Sequence, residues 1–230
     1  MQKIARIISI VAIVAVVFAA MIVGLSHNNS ETHKVWDEAT IIGSPDAKNH
    51  FVIYSDIVCP YCVAFENAII EHEDEFQQYI KDNDILIEVR LSDFLYEYGQ
   101  SNPITSRYSA EAVYCAKKEG KFWNYYNHAI PEVWNNYFKK SGKNAFLELE
   151  KLGKDYWITL GQDVGLGEDF TNCVKNDETL DEIITVAAKM VKQIDGLPYF
   201  KLNNYISSGF DLSWGWDYVK MYFESGLKSK

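Results

Sequence analysis

The chain has 230 residues, which is long enough for one large domain or for a core with an insertion. Its 22 basic and 32 acidic residues give a formal net charge of −10, and this acidic balance argues against nucleic acid or anionic lipid as a partner. Hydrophobic residues make up 48% of the chain, so a substantial core can be buried.

The N-terminus carries Lys3 and Arg6, followed by a predominantly apolar run over residues 7–25. A helix of that length just spans the hydrocarbon of a bilayer. Because both charges precede the run, the positive-inside rule places everything after it outside the cytoplasm. We expect an uncleaved signal anchor over residues 1–26. The alternative is a cleaved signal peptide, with Gly24-Leu25-Ser26 as the cleavage site, and the domain is exported to the periplasm or another extracytoplasmic face in both cases.

A polar tether is predicted over residues 27–38, and the first part of an α/β core over residues 39–99. An edge strand is predicted at residues 39–42. The fully apolar run over residues 51–54 is typical of a strand buried on both faces, and alternating apolar residues predict another strand over residues 85–91. With a helix between the last two strands, the order β-α-β implies parallel pairing through a right-handed crossover.

Two cysteines lie between these strands, in Cys59-Pro60-Tyr61-Cys62, at the predicted start of the helix. The first turn of a helix has unpaired backbone N–H groups and a partial positive charge, which favour a thiolate over a thiol. Pro60 suits this turn, because it lacks the N–H that would go unpaired. The spacing therefore predicts redox chemistry in which Cys59 is the nucleophile and Cys62 the resolving cysteine.

One continuous helix is predicted from the cysteines to about residue 80, because apolar side chains recur at spacings of three, four and seven. Its stripe consists of Cys62, Phe65, Ile69, Phe76 and Ile80.

A zinc site is the competing interpretation, since zinc is also bound by C-x-x-C motifs. Such a site needs two more close ligands, and Cys115 and Cys173 each stand alone in the sequence. We therefore predict no metal and no bound cofactor other than the redox-active disulfide itself.

An all-helical insert is predicted over residues 100–194, followed by the second part of the core over residues 195–230. The core resumes with a β-hairpin and ends with a helix. The predicted helices cover residues 106–128, 144–152, 156–160, 180–194 and 214–224, and the hairpin strands cover residues 197–202 and 205–207. The pattern predicts an α/β, thioredoxin-like fold with an inserted α-helical domain.

Three short motifs in this order resemble the DsbA family of exported thiol-disulfide oxidoreductases, over about residues 37–225. They are Tyr54-Ser55-Asp56-Ile57-Val58-Cys59-Pro60-Tyr61-Cys62 with Phe65-Glu66, Cys115-Ala116 followed by Gly120-Lys121-Phe122-Trp123, and Gly196-Leu197-Pro198-Tyr199-Phe200. The resemblance implies that Pro198 is a cis-proline facing the disulfide. It also implies that residue 197 pairs with an extended substrate strand beside Cys59.

This chain departs from the family at three positions. Leu197 replaces the Thr or Val that often precedes the cis-proline, and Ile53 replaces the buried acid found six residues before the first cysteine in the best-known oxidases. Asp56 is nearer and is a candidate substitute for that acid, although we expect a solvated residue at a strand end. Neutral Tyr61 replaces a histidine that stabilises the thiolate through charge, so we expect a milder oxidant. Tyr61 either stacks on substrate or is simply half-exposed at the helix start.

Some family members pair cysteines at the positions of Cys115 and Cys173 in a structural disulfide, and the resemblance implies the same pair here. The alternative is two buried free thiols.

We predict an exported protein disulfide oxidoreductase that introduces disulfides into folding exported proteins and is reoxidised by a membrane redox partner. A reductase or isomerase of the same fold is one alternative. The other is a non-catalytic, chaperone-like binding module in which the two cysteines have only the structural role of fixing the helix.

Overall fold

The computed structural model describes residues 34–229, and within them the chain forms one five-stranded sheet in the order β1, β3, β2, β4, β5. The parallel pair is β2 and β3, as the β-α-β pattern predicts, and the other neighbouring strands are antiparallel. The strands are β1 (Ile41–Ile42), β2 (Asn49–Ser55), β3 (Ile85–Leu91), β4 (Tyr199–Leu202) and β5 (Tyr205–Ser208).

The predicted anchor over residues 7–25 lies outside the described residues, together with its alternative cleavage site and the first part of the tether. Across residues 34–229, no helix has the length and apolar character needed to cross a membrane.

The predicted single helix after the cysteines is wrong, because the structure has two helices there. They are α1 (Pro60–Ile70) and α2 (Glu73–Asp82). The backbone leaves the helical region at His72, whose ring stacks on Trp216 at a centroid distance of 6.0 Å. Phe65 on α1 and Phe76 on α2 are both buried, so the apolar stripe is shared between two helices and gives no sign of the break.

The segment between β3 and β4 is helical, as predicted, with more breaks than the sequence indicates. The predicted helix over residues 106–128 is two helices separated at Gly120, whose φ of +69° is one that glycine adopts without strain. The helix predicted to reach residue 194 ends at Met190. The helices are α3 (Phe94–Tyr98), α4 (Ile104–Lys118), α5 (Phe122–Val133), α6 (Lys139–Ser141), α7 (Phe146–Leu149), α8 (Lys154–Asp163), α9 (Glu168–Lys175) and α10 (Leu180–Met190), with a π-helical segment at Trp134–Phe138, and α11 (Trp216–Lys228) closes the described chain.

The helical block and the sheet share one continuous hydrophobic cluster. Phe51 and Phe200 from the sheet belong to it, as do Trp157 and Phe170 from the block, and all four side chains are fully buried. The indole N–H of Trp157 donates to the Thr105 hydroxyl at 3.0 Å, so its polar atom is paired inside the block. The helices therefore pack as part of one core, while the division at residues 100 and 194 stays a prediction.

A buried charged pair lies on β3, at positions between the alternating apolar residues. Arg90 donates two hydrogen bonds to the Glu88 carboxylate, at 3.0 and 2.8 Å, and a third to the Tyr54 hydroxyl at 2.6 Å. The Trp36 ring covers the guanidinium at 4.0 Å, and the Trp36 backbone N–H donates to Glu88 at 2.7 Å. These contacts fix the first described residues of the chain against the sheet and explain why both charges are buried.

A disulfide joins Cys115 on α4 to Cys173 on α9, with Cα atoms 5.8 Å apart. Both residues are buried among the helices, and 58 positions separate them in the sequence. The bridge therefore closes a long loop within the helical block.

Replacing Cys115 and Cys173 by Ala together is expected to lower the free energy of unfolding by about 2–5 kcal/mol, because the unfolded chain gains the freedom of that loop. The measurement is urea denaturation in a background of Cys59→Ala and Cys62→Ala, in which no second disulfide contributes. The matched control is the background variant with its bridge intact. An unchanged midpoint would contradict the prediction.

Candidate active site

The two cysteines lie where β2 has ended and α1 begins. Cys59 is the N-cap residue of α1, with an extended backbone, and Pro60 follows at the first helical position. Cys62 lies in the first turn, and both cysteines are free thiols. Cys59 keeps 3% of its surface exposed and Cys62 none, so an incoming sulfur meets Cys59 first.

The helix start gives Cys59 the environment that a nucleophilic sulfur needs. No side chain caps this N-terminus, so the first N–H groups of α1 have no side-chain acceptor. These groups carry the partial positive charge of the helix N-terminus, at the position where Cys59 begins α1.

Cys62 is in the opposite situation. Burial raises the pKa of the Cys62 thiol well above its usual value, and the neighbouring Cys59 and the charge of Glu66 raise it further. Cys62 therefore holds its proton until a step of the reaction removes it.

Asp56 is buried, and the expectation of a solvated residue at the strand end is wrong. One carboxylate oxygen accepts from the Val58 N–H at 3.1 Å. The other accepts from the Leu95 N–H at 3.0 Å and from the Ser106 hydroxyl at 2.6 Å. The backbone carbonyl of Asp56 also accepts from the Cys59 N–H at 2.9 Å. Asp56 therefore holds the loop before Cys59 against α3 and α4.

Burial raises the pKa of Asp56 to about 6, and its three hydrogen bonds oppose that effect. The sequence could not show this environment, because Leu95 and Ser106 are 39 and 50 positions away.

The peptide bond between Leu197 and Pro198 is cis. Tyr54 on β2 pairs with Tyr199 on β4 in antiparallel register, so Pro198 lies at the end of the sheet where β2 leads into the cysteine loop. Leu197 is half-buried and packs against the small cluster that contains Tyr54. The register therefore brings this loop and the cysteines to the same end of the sheet.

The structure also locates two other positions singled out in the sequence, Tyr61 and Ile53. Tyr61 is half-buried and packs against the main core, and Ile53 is buried within it. The position six residues before Cys59 therefore carries no ionisable group.

Sequence reasoning missed the buried acid on α1. Glu66 lies one helical turn after Cys62 and keeps 3% of its surface exposed. Burial raises its pKa to about 8. The available signal was its spacing of four from Cys62, within a helix whose other residues are almost all apolar.

Comparison with known proteins places this geometry in a family. A family model described as thioredoxin matches residues 36–209. The chain belongs to the thioredoxin family. No curated protein gives a significant match to the chain.

Several solved structures are similar to this one, among them a disulfide bond oxidoreductase. Oxidised BdbD from Bacillus subtilis has a TM-score of 0.58 and 17% identity, covering 83% of this chain and 94% of its own. The alpha-DsbA1 protein of Wolbachia pipientis has a TM-score of 0.54 and 14% identity, covering 82% and 92%. Reduced DsbG from Mycobacterium tuberculosis has a TM-score of 0.53 and 15% identity, covering 81% and 86%.

Identities this low establish the shared fold. With the family match, they confirm the predicted thioredoxin-like α/β fold and the resemblance to DsbA-like proteins. The protein is a thiol-disulfide oxidoreductase of this fold. Proteins of this class carry their electrons on a redox-active disulfide, and residues 34–229 contain no group of three or more side chains placed to hold a metal ion.

Replacing Asp56 by Asn is expected to destabilise the fold by about 1–3 kcal/mol, because the amide nitrogen presents a donor to groups that are themselves donors. The loss also depends on pH. The pKa of Asp56 in the folded protein, about 6, lies above its usual value, so folding takes up a proton between about pH 4 and pH 6. The resulting stabilisation is complete at low pH and is lost as the pH rises through 6.

The difference in unfolding free energy between the wild type and Asp56→Asn should therefore shrink as the pH rises from about 4.5 to about 7.5. Urea denaturation at several pH values measures it. Asp46→Asn is the matched control, since Asp46 is exposed in a turn. An equal loss at every pH would show that Asp56 does not titrate in this range.

Proposed function

We propose that the protein is an exported, membrane-tethered oxidase that donates its Cys59–Cys62 disulfide to folding exported proteins. The observation that carries the proposal is the unequal environment of the two sulfurs. Cys59 sits at an uncapped helix N-terminus, which carries a partial positive charge, whereas Cys62 is fully buried. A stabilised Cys59 thiolate makes the reduced protein more stable relative to the disulfide, and this gives the disulfide its oxidising character.

The proposed reaction has two exchange steps. A substrate thiolate attacks the Cys59 sulfur, the Cys59–Cys62 bond breaks, and Cys62 leaves and takes up a proton. A second substrate thiolate then attacks the substrate sulfur of the mixed disulfide, and Cys59 leaves as a thiolate. The substrate loses two electrons and gains a disulfide, while the enzyme is left with both cysteines reduced.

Export is proposed from Lys3 and Arg6 before the apolar run at residues 7–25. The Cys115–Cys173 bridge supports it, because structural disulfides persist in oxidising compartments. A membrane redox partner is then required to reoxidise the Cys59–Cys62 pair after each turnover.

The residues around the cysteines are proposed to hold the substrate and to tune the reaction. Pro198 and Leu197 lie at the cysteine end of the sheet, where the backbone of residue 197 is proposed to pair with an extended substrate. Pro60 fixes the first turn of α1. Tyr61 brings no positive charge to Cys59, so the protein is proposed to be a milder oxidant than relatives with a histidine there.

Replacing Cys62 by Ala is expected to trap the mixed disulfide, because no second sulfur on the enzyme can displace the substrate from Cys59. Non-reducing electrophoresis of cells that express the variant should show adducts with exported proteins that disappear on reduction. The control is Cys59→Ala combined with Cys62→Ala, which should give none. An absence of adducts in the single variant would favour a non-catalytic binding module.

The reduction potential of the Cys59–Cys62 pair decides the direction of electron flow. Equilibration with glutathione buffers, followed by thiol alkylation and mass spectrometry, is expected to place it above the value of about −270 mV that is typical of thioredoxin. Tyr61 should keep it below the value of about −120 mV reached by the most oxidising relatives. A value at or below that of thioredoxin would contradict the oxidase and favour a reductase.

A further inference from the structure

The segment that carries Leu197 and Pro198 has little regular structure to hold it in place. The helix before it, α10, ends at Met190, and the next strand, β4, begins at Tyr199. Residues 191–198 therefore belong to no helix and no strand. The position of the backbone at residue 197, where substrate is proposed to pair, then depends on the contacts that side chains make with this segment.

Tyr54 contacts the segment at both of its ends. Its hydroxyl donates to the side-chain oxygen of Gln193 at 2.7 Å, and its ring meets the Tyr199 ring edge-on at a centroid distance of 5.6 Å. Within residues 34–229, the bond to Gln193 is the only hydrogen bond made by a side chain of residues 191–198. Tyr54 lies on the central strand β2 and is buried, so it joins the base of the loop over residues 193–199 to the middle of the sheet.

Arg90 sets the direction of the bond from Tyr54 to Gln193. Arg90 and Tyr54 are partners in the parallel register of β3 and β2, and Nη1 of Arg90 donates to the Tyr54 hydroxyl at 2.6 Å. A guanidinium has donors only, so the hydroxyl must accept from Arg90, and its own proton is left for Gln193. Burial raises the pKa of Tyr54, so the hydroxyl keeps that proton.

Arg90 is itself held in place. It donates two hydrogen bonds to the Glu88 carboxylate, and the Trp36 ring covers its guanidinium. Although burial opposes it, the hydrogen bonds from His50 and Arg90 keep the pKa of Glu88 below its usual value, so this carboxylate stays ionised. Hydrogen bonds between charged groups are the strong ones, and a firm line of contacts therefore runs from β3 through Tyr54 to the loop.

Apolar packing does not make the hydrogen bond redundant. Ile194 and Leu197 pack in the same small cluster as Tyr54, but apolar contacts are non-directional and allow a segment to slide over the sheet. A hydrogen bond has a preferred distance and angle, so it fixes the position along the sheet as well. Gln193 is exposed, so water is available to its amide and burial does not force the bond.

We propose that Tyr54 is a positioning residue for substrate, whose hydroxyl holds Gln193 and thereby the loop that presents residue 197 to an extended peptide. The inference rests on the proposed function and adds a residue to it. Tyr54 acts through the loop and has no part in the sulfur chemistry. A loop that is already in place spares the substrate the cost of ordering it on binding. A small thiol that meets only Cys59 gains nothing from the loop.

The test compares two dithiols that reduce the oxidised protein in a single turnover, followed by acid quenching and mass spectrometry. One is an unstructured peptide with two cysteines, and the other is dithiothreitol. Each loses two electrons to the Cys59–Cys62 bond and becomes a disulfide, but only the peptide has a backbone that can pair with residue 197. Gln193→Ala is expected to lower the second-order rate constant for the peptide by about 2- to 12-fold, the range that the loss of one hydrogen bond corresponds to. The rate constant for dithiothreitol should stay unchanged.

Three further variants separate the bond from other effects of substitution. Lys192→Ala, at the exposed neighbouring position, should leave both rate constants unchanged. Gln193→Glu keeps an acceptor for the hydroxyl and should retain the wild-type rate with the peptide. Tyr54→Phe should show the same loss as Gln193→Ala, and combining the two should cause no further loss, because both remove one bond.

Three results would overturn the inference. An unchanged peptide rate in Gln193→Ala would show that substrate does not depend on this bond, and this exposed position decides the matter even if Tyr54→Phe fails to fold. Equal slowing with the peptide and with dithiothreitol would show a general structural effect. A double variant whose loss is the product of the two single losses would show that the residues act separately. If the wild type transfers its disulfide to neither dithiol, the exchange function fails instead, so the two failures are distinguishable.

Discussion

Three parts of the protein meet at one buried carboxylate. Asp56 accepts hydrogen bonds from the loop before the cysteines, from α3 and from α4, so a single side chain joins the sheet, the active loop and the helical block. The cost of burying a charge is offset only while all three donors are in place. The position of Cys59 at the tip of α1 therefore depends on helices that are distant in sequence, and the block has a direct part in shaping the site.

The sequence predicts those parts of the fold that local patterns determine. The strands β2 and β3 follow from runs and alternations of apolar residues, and their parallel pairing follows from the helix between them. The break at His72 was missed, because the apolar stripe continues across it and the ring that His72 contacts, Trp216, lies far along the chain. The burial of Glu88 and Arg90 was also missed. Each side chain compensates the charge of the other through two hydrogen bonds, and the sequence does not show that pairing.

In the active site too, features set by local sequence could be predicted, whereas features set by tertiary packing could not. The spacing of Cys59 and Cys62 and the start of α1 could be predicted, because the chemistry lies within four consecutive residues. The environments of Asp56 and Glu66 could not, because they depend on Ser106 and Tyr126, which reach the site only through the packing of α4 and α5. A sequence shows which residues can ionise, whereas the tertiary fold decides which of them are kept from water.

The bridge between Cys115 and Cys173 gives the protein a second relation to disulfide chemistry. The chain has four cysteines, and a newly made copy starts with four thiols, two of which must be oxidised before α4 and α9 are locked together. While it folds, each molecule is thus a client of the kind of reaction that its mature form carries out. Forming this bridge removes two electrons from Cys115 and Cys173, so an oxidant must be present where the chain folds.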